Sequence, residues 1–148
     1  MEIIVKTFHQ LTTDELYEIL KIRCAVFVVE QNCPYQDIDG TDKRALHLFL
    51  KDENGDIVSY LRIFEKDENT AQIGRVVTAV RRKGYGTQLL KEAMVQAKQH
   101  FGKSRIYLEA QTYALPFYSA QGFVPFGEEF LEDGIPHIRM KFEFQAKA

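Results

Sequence analysis

The segment Val76–Thr87 constrains the fold most, because it joins the end of a strand, a basic loop with two glycines and the start of a helix. β-branched residues across Ala71–Val80 predict the strand, and apolar spacing across Thr87–Phe101 predicts the helix. Between them, Arg81–Gly86 carries three consecutive cations. Glycines let backbone N–H groups converge on one point, and a helix N-terminus adds free donors and a partial positive charge. The segment therefore predicts an anion-binding loop that suits a pyrophosphate.

This loop does not match two common nucleotide-binding patterns. A Walker loop needs Gly-Lys-Ser/Thr after four variable residues, and a dinucleotide fingerprint needs G-x-G-x-x-G. Neither pattern occurs at Gly84-Tyr85-Gly86. A simpler interpretation is a surface turn with solvated charges, and the glycine pair alone does not decide between the two.

The remaining periodicity predicts an α+β (mixed α/β) fold with strands concentrated in the middle of the chain. The capping box Thr12-x-x-Glu15 opens a first helix that is expected to reach about Val29, and Asn32–Asp42 is expected to be a loop. An acidic loop is expected between the last two strands. The predicted strands are Glu2–Phe8, Ala45–Lys51, Ile57–Glu65, Ala71–Val80, Ser104–Ala110, Phe123–Phe126 and Pro136–Phe144, and the later helices are Thr87–Phe101 and Ala114–Gln121.

Length and charge narrow the function classes. The 148 residues suit a single domain over 1–148, and the net charge of −2 lacks the basic excess typical of nucleic-acid binders. The longest apolar run, Cys24–Val29, is far shorter than the roughly 20 residues that span a bilayer. We therefore expect a cytoplasmic protein with no nucleic-acid or membrane partner and with Cys24 and Cys33 reduced. A homodimer through an edge strand is compatible with the sequence.

Two motifs resemble those of the GCN5-related N-acetyltransferase (GNAT) family. Arg81-x-x-Gly84-x-Gly86 after a strand is similar to motif A, and Gln111-x-x-Ala114-x-x-Phe117-Tyr118-x-x-x-Gly122-Phe123 is similar to motif B. The order and separation of the motifs also match. Gln111 stands where the family usually has Asn, and Arg82 where many members have Gly. Residues 23–40, 73–76 and 133–137 further resemble the ElaA-like branch, so the resemblance covers nearly the whole chain.

The resemblance implies a fold, a cosubstrate and a reaction. The fold is a central mixed, mostly antiparallel sheet flanked by helices, in which two parallel strands, here Ala71–Val80 and Ser104–Ala110, splay apart. Acetyl-CoA is the implied cosubstrate, without a metal, and its acetyl group passes directly to an amine of a small molecule or peptide. A backbone N–H near Val77 is expected to serve as the oxyanion donor. The implied cofactor-binding residues are Val76, Val77, Thr78, Arg82, Lys83, Gly84, Tyr85, Gly86, Thr87, Gln111 and Phe117. A non-catalytic acyl-CoA-binding or sensor module is the alternative, and a nucleotide-binding regulator is a third.

Acyl transfer to an amine needs a base and an acid. An amine with a pKa of about 10.4 is almost fully protonated at pH 7, and neutralising it costs about 4.6 kcal/mol. The candidate bases are Glu30, His47, Glu109 and His137, and each also has a structural interpretation: Glu30 capping or pairing with Arg23, His47 in the core, Glu109 solvated and His137 in a turn. We assign catalysis to Glu109 and Tyr118, with Tyr118 as the acid that the family's motif B implies, and acceptor binding to Glu30 and His137.

Two acidic segments suggest that the acceptor is a cation. Asp37, Asp39 and Asp42 follow the first helix, and a second group precedes the last strand. The resemblance places both segments on the acceptor side of the cleft, opposite the basic loop, so they would attract a cationic amine. The alternative is that these acids are solvated and maintain solubility. The second group comprises Glu128, Glu129, Glu132 and Asp133.

Overall fold

The computed structural model describes residues 2–79 and 84–145, and its centre is one seven-stranded sheet. The strand order is β1-β2-β3-β4-β5-β7-β6, and every neighbouring pair is antiparallel except β4 and β5. The predicted mixed, mostly antiparallel sheet with flanking helices is therefore confirmed. The elements are β1 (Ile3–Thr7), α1 (Thr13–Arg23), β2 (Leu46–Lys51), β3 (Ile57–Glu65), β4 (Thr70–Thr78), α2 (Tyr85–Gln99), β5 (Arg105–Gln111), α3 (Leu115–Ser119), β6 (Val124–Glu132) and β7 (Ile135–Glu143).

The first helix begins at the predicted capping box. The Thr12 side chain accepts from the Glu15 N–H at 3.0 Å, and Glu15 Oε1 accepts from the Thr12 N–H at 2.9 Å. Glu15 also pairs with Lys6 of β1 and Lys51 of β2, so one carboxylate fastens α1 to the sheet edge. Beyond α1 the chain continues as a π-helical segment over Cys24–Glu30, which accounts for the predicted helical reach to about Val29.

Helices cover both faces of the sheet. On one face α2 buries Leu89, Leu90 and Ala93 against the inward side chains of the strands. On the other face α1 buries Ile19 against Phe49 and Tyr60. Burial of apolar surface at about 25 cal/mol per Å² is what holds these layers together. Within the described ranges, no helix combines the length and apolar character that a membrane crossing requires.

The acidic segment before the last strand is not a loop, and that prediction was wrong. β6 extends to Glu132, and β7 begins at Ile135, so only Asp133 and Gly134 connect them. Both connecting residues have positive φ, 50° and 78°, as a tight type I′ hairpin turn requires. A register shift between Phe126 and Phe130 interrupts the alternation, which hides the strand from a period-two pattern.

The two parallel strands separate soon after they begin. β4 and β5 pair only at Thr70–Arg105, Ala71–Ile106 and Gln72–Tyr107. Beyond Gln72, β4 keeps its pairing with β3 but has no further register with β5. The predicted splay is therefore present, and it opens a cleft between the second half of β4 and the end of β5.

Candidate active site

The cleft between β4 and β5 has a volume of about 980 Å³ and brings together residues from opposite ends of the chain. Eight of the residues predicted for the site line it: Val76, Val77, Thr78, Glu109, Gln111, Phe117, Tyr118 and His137. Glu30 is exposed at the end of the π-helical segment and is not among the lining residues. Arg82 and Lys83 lie outside the described residues.

Glycines at the start of α2 serve two different needs. Gly84 caps the helix with φ +76°, a conformation that other residues adopt only with strain. Gly86 allows close packing, because a Cβ there would lie 3.1 Å from Thr78 Oγ1 and 3.4 Å from Phe117 Cζ. The helix starts at Tyr85, two residues before its predicted start at Thr87, so Gly86 belongs to the first turn. The N–H groups of that turn have no intrahelical partner.

The register of β4 decides which backbone groups face the cleft. Val77 is paired with Tyr60 of β3, and the Ala79 N–H donates to the Val58 carbonyl at 2.8 Å. The directions of the N–H and C=O groups alternate along a strand. The backbone groups of Val77 therefore point toward β3, whereas those of Val76 and Thr78 point toward the space between β4 and β5. The backbone N–H near Val77 that can reach the cleft is therefore that of Val76 or Thr78, and its role as an oxyanion donor stays a prediction.

The wall opposite β4 consists of side chains from β5 and β7. Along β5, Tyr107, Glu109 and Gln111 are half-buried on one face, and the intervening residues are fully buried. Burial raises the pKa of Glu109, and the negative charge of Glu132 raises it further. A carboxylate with a raised pKa is a stronger base than an ordinary glutamate, as proton removal from an amine requires.

His137 is the third residue of β7 and is buried beside Gln111, its register partner on β5. Its Nδ1 lies 2.7 Å from the Ile135 carbonyl, so Nδ1 is the nitrogen that donates. The remaining nitrogen, Nε2, lies 3.6 Å from Glu132 Oε2, and the ring stacks on Phe130. The imidazole is thus held with Nε2 directed toward a carboxylate at the cleft.

Tyr118 lies in α3 with 7% of its surface exposed. Its ring meets Phe117 and Phe123 edge-on, with centroids 5.0 and 6.1 Å away. Burial raises the pKa of Tyr118, and the neighbouring Tyr113 adds to the effect. The phenol therefore keeps its proton at neutral pH. Tyr118 both packs in the core and lines the cleft, so its packing is compatible with the catalytic role predicted for it.

His47, another candidate from the sequence, contacts residues that do not line the cleft. His47 is fully buried in β2, where Nε2 donates to the Asp42 carbonyl at 2.9 Å and Nδ1 accepts from the Tyr60 hydroxyl at 2.7 Å. Burial lowers the pKa of His47, so it is a neutral core histidine. Cys24 and Cys33 are free thiols, as predicted.

A partly buried ion network on the β4 side of the cleft was missed by the sequence analysis. Three arginines from α1, β3 and β4 meet three aspartates of the segment after the π-helical turn: Arg23, Arg62 and Arg75 with Asp37, Asp39 and Asp42. Arg23 is fully buried and contacts Asp37 at 3.1 Å and Asp42 at 2.7 Å. Arg62 contacts Asp39 at 2.7 Å and Asp42 at 3.0 Å.

This network changes the electrostatics expected of the acceptor side. Hydrogen bonds from Arg62 hold the pKa of Asp39 well below its usual range, so Asp39 is ionised and paired. Asp37, Asp39 and Asp42 are balanced by three guanidinium groups, and the prediction that they form a negative wall was wrong. Among the residues that the structure describes, the carboxylates that line the cleft without an arginine salt bridge are Glu109, Glu132 and Asp133.

One signal in the sequence pointed to this network. Arg62 interrupts an otherwise apolar strand, and Arg23 falls at the i+4 position from buried Ile19. An arginine on a buried face needs acidic partners.

Comparison with known proteins agrees with this architecture. Residues 11–144 match the family model described as "Acetyltransferase (GNAT) domain". The ElaA protein of Escherichia coli is 42% identical over 90% of this chain and 91% of its own, and its crystal structure superposes with a TM-score of 0.88 at 40% identity over 96% and 99% of the two chains. An acyl-CoA N-acyltransferase from Pseudomonas aeruginosa superposes equally well, with a TM-score of 0.88 at 39% identity over 95% and 99%.

A more distant match shows the shared fold alone. An aminoglycoside 6'-N-acetyltransferase solved in complex with coenzyme A is 13% identical, covers 98% of this chain and 99% of its own, and superposes with a TM-score of 0.73. From the family model, the ElaA relatives and the matching fold together, the chain belongs to the GNAT acetyltransferase family, in the branch that contains ElaA.

Proposed function

We propose that this protein is an acetyl-CoA-dependent N-acetyltransferase, with residues 1–148 acting as one domain. The observation that carries the proposal is the splay of β4 from β5, which leaves backbone groups of one strand facing Glu109 and Tyr118 across a single cleft. Membership of the GNAT family supports an acyltransferase, and the amine acceptor and the acetyl donor are the finer parts of the proposal.

The described residues fit a CoA thioester. Gly86 keeps the first turn of α2 close against Thr78 and Phe117, where a Cβ would crowd both side chains, and the β5-facing backbone groups of β4 past Gln72 are free to bind a ligand. Val76 and Thr78 would bind through the main chain, and Gly84, Tyr85, Gly86 and Thr87 would offer first-turn N–H groups to phosphate. Gln111 and Phe117 would close the opposite side. When bound, acetyl-CoA supplies an acyl group already activated as a thioester. The roles of Arg82 and Lys83 stay predictions.

Proton movement is assigned to two side chains. Glu109 takes the proton of the attacking amine, for which its raised pKa suits it. The Tyr118 hydroxyl donates to the departing thiolate. Because burial raises the pKa of Tyr118 above that of an ordinary thiol, about 8.5, its main contribution is a hydrogen bond that stabilises the developing charge rather than complete transfer.

The acceptor is proposed to be a cationic amine of a small molecule or peptide. Asp37, Asp39 and Asp42 are paired with arginines. Among the described residues, the carboxylates available to hold an ammonium group are therefore Glu109, Glu132 and Asp133. His137 would orient Glu132, and Glu30 would contact the acceptor from the cleft rim. Attraction between these exposed charges weakens as salt rises, so the acceptor KM should increase with ionic strength.

A panel of amines in a thiol-release assay tests the proposal. Purified protein with acetyl-CoA should release free CoA only when an amine is present, and cationic amines should be preferred over neutral or anionic ones. Tyr118→Phe, which keeps the ring packing, serves as the catalytic control. Binding of acetyl-CoA with no amine-dependent release would instead support a non-catalytic sensor. The expected cytoplasmic location, the absence of nucleic-acid and membrane partners and a homodimer stay predictions.

A further inference from the structure

β4 contains a β-bulge, called the kink below, after the point where it separates from β5. Its register with β3 shifts by one residue between the Tyr60–Val77 and Arg62–Gly74 pairs, and Arg75 lies in the extra stretch with φ +51°. This left-handed backbone conformation costs a non-glycine residue about 1–3 kcal/mol, and it persists only where contacts with the surrounding structure stabilise it. Of the other described non-glycine residues with positive φ, Asp133 lines the cleft and Asn32 lies in the sequence between two lining residues.

The Arg75 side chain is what ties this kink down. Its Nε lies 2.9 Å from Asp37 Oδ1, and its Nη2 donates to the Asp37 carbonyl at 3.2 Å and to Asp39 Oδ2 at 3.4 Å. The guanidinium also stacks over the Tyr35 ring at 5.3 Å, and the Tyr35 hydroxyl donates to Asp37 Oδ1 at 3.0 Å. Five contacts thus converge on one side chain and its carboxylate.

Asp37 and Asp39, which contact Arg75, are also hydrogen-bonded to two other arginines. Arg23 of α1 holds Asp37 through a side-chain contact at 3.1 Å and a main-chain contact at 3.0 Å, and Arg62 of β3 holds Asp39 through two hydrogen bonds. Both arginines are almost fully buried. Arg75 is therefore anchored to a rigid platform built from α1 and β3.

We propose that Arg75 is a positioning residue for acyl transfer, whose anchored guanidinium holds the β4 kink so that the next backbone N–H, that of Val76, is aimed into the cleft as the oxyanion donor. The inference rests on the proposed acetyltransferase function. Arg75 touches neither reacting group in this role. An oxyanion donor acts in the transition state and not in the ground state, so losing its alignment lowers kcat and leaves cosubstrate affinity unchanged.

The Arg75→Gly variant removes the side-chain contacts of Arg75 while still allowing the backbone conformation of the kink. Glycine adopts φ +51° without strain, and Arg23 and Arg62 still balance the aspartates, so the variant keeps the fold while the kink loses its hold. We expect kcat to fall about 10–100-fold, with the acetyl-CoA dissociation constant and the amine KM each within about threefold of the wild-type values. Arg75→Lys, which can keep one ion pair, should recover part of the rate. Arg105→Ala removes an exposed arginine that pairs with Glu143 away from the cleft and should change none of these quantities.

Amide hydrogen exchange provides a readout that does not need activity. The Val77 amide, on the β3 side of the kink, should exchange faster in Arg75→Gly, with the Leu108 amide of β5 as an unchanged reference. If the wild type transfers no acetyl group but Val77 still exchanges faster in the variant, the proposed function fails and the anchoring stands. A kcat within threefold of wild type, unchanged Val77 exchange, or a rise in amine KM alone would each overturn the positioning role.

Discussion

The two walls of the cleft are built on different principles. The β4 wall offers main-chain groups at Val76 and Thr78 and the first turn of α2, with Gly86 kept small to allow close approach. The opposite wall offers side chains, chiefly Glu109 and His137. Main-chain donors bind the same chemical group whatever the neighbouring side chains are, which suits an invariant cosubstrate. Side chains set charge and proton affinity, which suits the choice of acceptor.

The walls also differ in how charge is handled. On the β4 side, three aspartates form salt bridges with three arginines. These charges therefore stabilise the backbone of this wall. Across the cleft, Glu109 and Glu132 lie close enough for one to raise the pKa of the other, so their charges remain available to a ligand. Acidic residues of similar appearance in the sequence therefore have opposite roles.

The β4 side depends most strongly on Asp42. This buried carboxylate accepts from both Arg23 and Arg62, and Asp42→Ala would leave two buried cations short of a partner. We expect a loss of about 3–5 kcal/mol in the free energy of unfolding, measured by denaturant titration. Glu128→Ala, at an exposed position, should change it by less than about 0.5 kcal/mol. Equal, small effects would show that the network does not carry the β4 wall.

Tyr118 distinguishes catalysis from packing at the junction of the two walls. Tyr118→Phe preserves the aromatic contacts with Phe117 and Phe123 and removes only the hydroxyl. The rate constant kcat should fall about 10²–10³-fold, with the acetyl-CoA dissociation constant unchanged. Turnover within threefold of the wild-type value at several pH values would restrict Tyr118 to a structural role.

Gly86 tests close approach on the β4 side. Gly86→Val would push atoms against Thr78 Oγ1 and Phe117 and should raise the acetyl-CoA dissociation constant at least about tenfold by calorimetry, or about 1.4 kcal/mol. Gly84→Ala should also weaken binding, because alanine strains the cap at φ +76°. Gly55→Ala introduces similar strain in the β2–β3 turn and is the matched control, expected to leave affinity unchanged. Unaltered affinity in both loop variants would remove α2 from the binding site.

The pH dependence of kcat/KM reports on the opposite wall. If Glu109 is the base, activity is lost as pH falls through its pKa, which burial and Glu132 raise above the ordinary glutamate value. Glu132→Gln removes one raising influence and should move the acid limb to lower pH. Arg139→Gln removes a charge that lowers the pKa of Glu109 and should move the limb to higher pH. A limb that stays fixed in both variants excludes Glu109 as the base.

The elements that depend on residues close together in the sequence could be predicted. The capping box at Thr12 and the glycine-bearing start of α2 depend on neighbouring residues, and the structure places them within two residues of expectation. The buried arginines indicate that acidic partners exist, but which aspartates they meet could not be predicted, since Arg23 and Asp37 are 14 positions apart and Arg75 and Asp37 are 38 apart. Those pairings depend on the final sheet order.

The kink at Arg75 shows a second limit of sequence reasoning. One extra residue in β4 reverses which backbone groups face the cleft. The residue pattern of Ile73–Thr78 does not indicate this register shift. The prediction of a backbone N–H near Val77 therefore reached the correct stretch of β4, and only the structure shows that the backbone of Val76 turns to the cleft. The hairpin at Asp133 was missed for a related reason, because a register shift in β6 breaks its alternation.

Initial rates of CoA release over a matrix of acetyl-CoA and amine concentrations test the central claim most directly. A cleft that holds both substrates between its two walls predicts amine-dependent release and double-reciprocal plots whose lines intersect, as direct transfer in a ternary complex requires. Parallel lines would indicate a covalent acyl-protein intermediate. Release that does not depend on the amine, or no release at all, would contradict the assignment of acetyl transfer to this cleft.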